Sequence, residues 1–248
     1  MGRGLAARAV AAARAVLAGA LIAAALHASA AGSDRIDLAQ LTRETQQQYQ
    51  DASKLELVWW VPADIWAAVM NERTAREVRE STLGLFDDYL VFFVTEADLS
   101  PMGQIRFRSE AQTRERFRLV LPDGKRIAPL PDAEIRADMA VLLNSLRPAL
   151  ANGAGAIGEN FRPLLFSARD AQGLKRVDTR GEGTLRVALG EREFRWRLPL
   201  AALQPPRTCP VDGEILSGAF RYCPYHGAEL PDPSGVPAAP STPPPASR

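Results

Sequence analysis

The phrase C-P-x-x-G-x-x-L occurs twice near the end of this 248-residue chain, as CPVDGEIL from Cys209 and as CPYHGAEL from Cys223. No other feature constrains the local fold so tightly. A cysteine, a proline and a glycine at fixed offsets describe a tight turn, and a turn repeated after fourteen positions describes two turns facing one another. About 26 residues, 205–230, cannot bury enough apolar surface to stand alone, so the hairpin requires a metal, a disulfide or docking onto a larger body. Both cysteines of the chain lie inside it.

In each turn the position three residues after the cysteine is occupied by another potential ligand, Asp212 in the first and His226 in the second. The repeated phrase resembles the knuckles of zinc ribbons and rubredoxins, in which each turn donates two cysteines. Here Cys209 and Cys223 match the first ligand of each turn, while Gly213 and Gly227 match the position that lets backbone amides approach the sulfur. The resemblance covers about 22 residues and half of its thiolates are missing. It implies a structural zinc held by Cys209, Asp212, Cys223 and His226, a chemically acceptable tetrahedral set. A disulfide between Cys209 and Cys223 ranks ahead of that site, because the chain reads as exported and export favours oxidation; free thiols come third. With a disulfide, the protein carries no cofactor. A rubredoxin-type iron centre is disfavoured by the two missing thiolates.

Export is read from the beginning of the chain. Arg3, Arg8 and Arg14 precede an unbroken small or apolar run from Ala15 to Leu26, and HASAAG then supplies an A-x-A cleavage pattern. Residues 1–30 are therefore expected to be a signal peptide and the mature protein to be periplasmic or secreted. Twelve apolar residues are short for a bilayer core of about 30 Å, so no stable transmembrane span is expected after cleavage. Removal of the segment leaves 27 basic against 29 acidic residues, a slightly acidic protein with no field to attract nucleic acid. WWVPADIW and the CPxxG tail are also similar to exported bacterial proteins, a likeness that implies export and no substrate. Residues 231–248 are proline-rich, poor in large apolar side chains, and read as a disordered tail.

The remaining 36–204 reads as one α+β domain, an antiparallel sheet packed with helices and followed by the small zinc-ribbon-like hairpin. LTRETQQQYQ is polar and helix-favouring. KLELVWWV alternates as a strand that Pro62 stops, and a helix carrying Ile65, Trp66 and Val69 follows. Another helix, 75–86, leads into a buried strand at 90–94. QIRFRS and RERFRLVL read as antiparallel strands, and an Asp123-Gly124 turn leads to the next. Asp132 is placed to cap a helix with Ile135, Met139, Leu142 and Leu146 on one stripe, weakened near Pro148. NGAGAIGEN reads as a loop before a strand at 161–166, and GTLRVALGEREFRWRLPL reads as a hairpin turning at 189–191.

Residue types capable of catalysis are scarce. Once residues 1–30 are removed His226 is the single histidine, which excludes a Ser-His-Asp or Cys-His arrangement in the main domain and a three-histidine metal site. Carboxylate chemistry on a polysaccharide or lipid, with Asp64, Asp87, Asp88 or Asp138, is the remaining enzymatic alternative. The leading expectation is a noncatalytic envelope or secreted protein that binds another protein or an acidic envelope component. Two surfaces would serve that role. Arg106, Arg108, Arg116, Arg118, Arg186, Arg195 and Arg197 fall on one polar face if their strands share a sheet, and guanidinium groups bind carboxylate and phosphate in bidentate fashion. Trp60 and Trp66 are candidate groove aromatics. A metal-binding module is the further alternative.

Overall fold

A computed structural model describes residues 36–70, 75–102 and 104–231. The expected signal peptide, residues 1–30, and all but the first residue of the proline-rich tail lie outside the described residues. The fold is mixed α+β, with two antiparallel sheets packed against helices and a small hairpin at the end. In chain order the body comprises α1 (Leu38–Thr45), β1 (Gln46–Gln50), β2 (Lys54–Val61), α2 (Ala63–Val69), α3 (Arg76–Asp88), β3 (Tyr89–Leu99) and β4 (Ile105–Phe107). It continues with α4 (Glu110–Arg116), β5 (Phe117–Val120), β6 (Arg126–Ile127), α5 (Ala137–Glu159), β7 (Arg162–Ser167), β8 (Gly183–Leu189) and β9 (Arg192–Leu198).

The first sheet runs β1-β2-β3, and β4 and β7 share the far edge of β3 end to end. The second runs β6-β5-β8-β9. Alternation along β3 explains how the layers stack, because successive side chains point to opposite faces. Phe92 meets Phe117 and Trp196 of the second sheet at ring-centroid distances of 5.4 and 6.0 Å. Phe93, one residue on, meets Trp59 and Phe161 on the other face. The long helix α5 serves that second face: the Tyr89 hydroxyl accepts from the Arg136 amide at its start, and Thr95 donates to the Ile157 carbonyl near its end. Thr45, fully buried at the end of α1, accepts both indole N–H groups, Trp59 on its hydroxyl at 3.2 Å and Trp196 on its carbonyl at 3.0 Å.

Four local departures from the sequence expectations have identifiable causes. QQQYQ is an edge strand rather than helix: the Asp51 side chain accepts the Ser53 and Lys54 amides and turns the chain so that Gln46–Gln50 pair antiparallel with Leu55–Trp59 of β2, while the Gln47 side chain bonds the Arg195 backbone of β9. RERF is divided between α4 and β5, because Ser109 and Gln112 form a reciprocal capping box that starts a helix ahead of it. Asp132 caps no helix; it begins a short 3-10 turn and pairs with Arg114 at 2.7 Å, while α5 starts at Ala137. The glycine-rich stretch continues α5 through Pro148 to Glu159, with a break at Gly155, whose φ of 53° and ψ of −137° glycine tolerates.

One end of the interface between the sheets is charged. Glu56 and Glu96 are directly paired across β2 and β3 and both are buried. Arg192 reaches Glu56 at 2.8 Å while its guanidinium lies over the Tyr49 ring, and Arg108 and Arg116 reach Glu96 at 2.9 and 3.0 Å. Burial pushes the Glu96 carboxyl above its usual 4.5, against the pull of Arg116 and Arg108. A carboxyl raised on folding binds its proton more tightly in the folded chain, so its contribution is most favourable at low pH and is lost as pH rises through the folded value. Glu96→Gln removes that dependence. In denaturant melts the stability difference, wild type minus variant, is expected to move in favour of wild type as pH falls from about 7 towards 4.5; a constant or opposite difference would refute the assignment.

Candidate metal centre

The doubled phrase folds as a doubled structure. In the first turn the Gly213 amide donates to the Cys209 carbonyl at 2.9 Å and the Cys209 amide to Glu214 at 2.8 Å. In the second, Gly227 donates to Cys223 and Cys223 to Ala228, both at 2.8 Å. The glycines have φ of 78° and 65°, a region an L side chain rarely adopts, which is why the phrase needs glycine there. Short pairings follow at the same offsets: β10 (Arg207–Thr208) with β11 (Ile215–Leu216), and Tyr222 with Glu229. The last residue of each phrase, Leu216 and Leu230, is buried with Cys209 and Cys223 in a cluster of its own, separate from the core of the body. Gln40 of α1 reaches Ser217 of the hairpin at 3.4 Å.

The two turns bring three donors together. The Nδ1 atom of His226 is 3.5 Å from the Cys209 sulfur and 3.4 Å from the Cys223 sulfur, and the sulfurs are 3.6 Å apart. This is a compact cluster capable of metal ligation, with the cysteines buried and the histidine exposed. The disulfide expected from the sequence is not formed: both cysteines are free, and their sulfurs stand well beyond the bonded distance of about 2.05 Å.

Backbone amides act on both sulfurs. Burial, with the Asp212 carboxylate and Cys223 beside it, raises the Cys209 thiol above its ordinary value against the pull of the Val211 and Asp212 amides. Burial also works to raise Cys223, but the His226 and Tyr225 amides, the His226 ring and Cys209 together bring that thiol below its ordinary value. Of the two thiols, Cys223 thus gives up its proton more readily than Cys209. A metal bound by both sulfurs displaces both protons.

Asp212, the fourth expected ligand, stands outside the group whose donor atoms all lie within 4.8 Å of one another. Its Oδ1 accepts the Glu214 amide at 3.0 Å, a local turn that aspartate commonly makes with the residue two ahead, and its Oδ2 is 3.8 Å from His226 Nδ1. The Glu214 amide, first among several causes, holds its carboxyl below the usual range.

The other residues singled out from sequence are placed as follows. Arg118, Arg186, Arg195 and Arg197 share the outer face of the second sheet, opposite its buried Phe117, Leu119, Val187 and Trp196. Glu193 sits among them, 2.8 Å from Arg195 and 3.7 Å from Arg186. The seven arginines do not share one sheet: Arg106 is exposed on β4 of the first, and Arg108 and Arg116 turn in to Glu96. Trp60 and Trp66 offer solvent no ring face, being 1% and 0% exposed; Trp66 stacks on Phe86 and Trp60 packs edge-on against Trp196. Asp64 and Asp87 do line one cleft of about 110 Å³ beside Trp60 and Tyr89. Each is engaged there, Asp87 with Lys175 at 2.9 Å and Asp64 with the Thr179 hydroxyl at 2.8 Å. Asp88 and Asp138 both pair with Arg136. Among the described residues no helix is long and apolar enough to cross a membrane.

Comparison of the chain with protein-family models, with curated proteins and with solved structures finds no match.

Proposed function

We propose that residues 207–230 are a zinc-binding module of the zinc-ribbon type, with Cys209, Cys223 and His226 as its ligands and stabilisation of the hairpin as its purpose. The observation that carries this reading is the spacing of the three donors. A tetrahedral zinc, with bonds of about 2.3 Å to sulfur and about 2.0–2.1 Å to nitrogen, holds its ligands roughly 3.5–3.8 Å apart. The three separations here are 3.4, 3.5 and 3.6 Å. Two thiolates and an imidazole suit a borderline-soft ion, whereas calcium and magnesium require oxygen donors. Amides directed at each sulfur favour the thiolate the metal needs.

The module is carried by a body for which the reading remains an exported protein that contacts a protein or an acidic envelope component in the periplasm or outside the cell. The arginines sharing the outer face of the second sheet support that contact, and Glu193 tempers it. The metal centre is the better supported conclusion. Native mass spectrometry of the full chain with elemental analysis is expected to give one zinc per chain, released by a chelator. A metal-free native mass with two alkylatable thiols after purification in zinc would overturn it.

A further inference from the structure

We infer that a metal held by Cys209, Cys223 and His226 keeps its fourth coordination position open on the side of Asp212, and that this position takes a neutral ligand bearing an O–H or N–H group, such as water or an imidazole. The inference rests on the metal reading above and goes beyond it, since a purely structural zinc is normally closed by four protein ligands.

Three observations support it. The three donors already stand at the separations of a tetrahedral ion, so the hairpin needs no rearrangement to bind through them alone. Asp212 is the neighbouring carboxylate, yet it is not one of the close group: Oδ1 accepts the Glu214 amide, the carboxylate accepts from the Cys209 thiol, and Oδ2 stands 3.8 Å from the histidine nitrogen. The cysteines are buried at 1% and 2% exposure, whereas the side chains of His226 and Asp212 are 34% and 40% exposed, so the unfilled side of the cluster is the one solvent reaches.

Charge selects the ligand. Two thiolates cancel a divalent ion, which leaves the centre neutral, and the Asp212 carboxylate beside it then disfavours a further anion. The same carboxylate accepts a hydrogen bond from a bound water or from the N–H of an imidazole. Asp212 is therefore a positioning group for the exchangeable ligand rather than a metal ligand, in the manner of the outer carboxylates that orient groups around metal sites.

Cobalt(II) substitution of the full chain tests this, because cobalt's visible bands report the donor set directly. Wild-type protein is expected to show thiolate-to-cobalt absorption at one equivalent, and imidazole should move the d–d bands. Imidazole should bind at least about tenfold more tightly than azide, a ratio that one charged hydrogen bond can supply. Asp212→Ala should keep the cobalt and its thiolate absorption but shrink the preference for imidazole over azide. Cobalt bound with bands that imidazole does not move would overturn this inference while leaving the metal centre intact, as would loss of the tetrahedral spectrum in Asp212→Ala. A wild-type chain that develops no cobalt absorption would overturn both readings.

Discussion

Cys209→Ser is expected to abolish stoichiometric zinc binding and to unfold residues 207–230 while leaving the α+β body folded. The reason is the size of what remains. The hairpin's buried cluster is Cys209, Leu216, Cys223 and Leu230, and its named strands are two residues each. Such a core cannot offset the entropy of ordering some two dozen residues, at about 1–2 kcal/mol per residue for the backbone alone. In small zinc modules the metal's binding free energy, on the order of 10 kcal/mol, is the folding free energy, and loss of a thiolate removes most of it. The body has its own core and a separate set of contacts. Amide spectra should therefore show collapse of the 207–230 resonances, with the thermal transition of the body retained, and a chelator added to wild type should reproduce the effect. A serine variant that retains zinc, or one whose hairpin resonances do not move, would show that the fold of the turns needs no metal.

What the sequence disclosed depended on whether the deciding partner was near in the chain. The knuckles were legible because every residue that shapes them, cysteine, glycine and buried leucine, lies within eight positions, and the repeat displayed them twice. The strand Lys54–Val61, the helix at Arg76–Asp88 and the Gly183–Leu198 hairpin were legible for the same reason. Arg108 and Arg116 were not: their alternation with Phe107 and Phe117 reads as a solvated face, but the buried cross-strand pair Glu56 and Glu96 draws both in, and no local pattern announces that. The Gln47 side chain likewise finds a distant partner, the Arg195 backbone, that no local pattern announces. The capping box at Ser109 and Gln112 was a local signal outweighed by the alternation after it. At the Cys209, Cys223 and His226 cluster, the expected export argues for a disulfide, but compartment sets no distance, and the turns hold the sulfurs 3.6 Å apart. Asp212 has the spacing of a ligand, and its turn with Glu214 occupies one carboxylate oxygen while the other stands 3.8 Å from His226 Nδ1.

Phe92→Ala is expected to destabilise the body by about 3–5 kcal/mol, the usual range for removing a buried phenylalanine ring, and to leave zinc stoichiometry unchanged. Phe92 is 0% exposed and stands where three strands' side chains converge: Phe117 from β5, Phe166 from β7 and Trp196 from β9 lie at 5.4, 5.8 and 6.0 Å. Its ring thus fills the space between the two sheets, and alanine would leave a cavity walled by large rigid aromatics that cannot close it without moving whole strands. Trp196 is further held by its indole bond to the Thr45 carbonyl, which restrains the relaxation that would soften the loss. For a domain of this size each kcal/mol lowers the melting temperature by about 2–4 °C, so a fall of roughly 10 °C is expected in calorimetry. The metal centre should be indifferent, because its ligands and the leucines beneath them belong to the separate hairpin cluster. Zinc lost together with the body's stability would show that the hairpin depends on its docking to the sheets; a melting temperature unchanged within a degree would show that the two sheets are held together elsewhere than at Phe92.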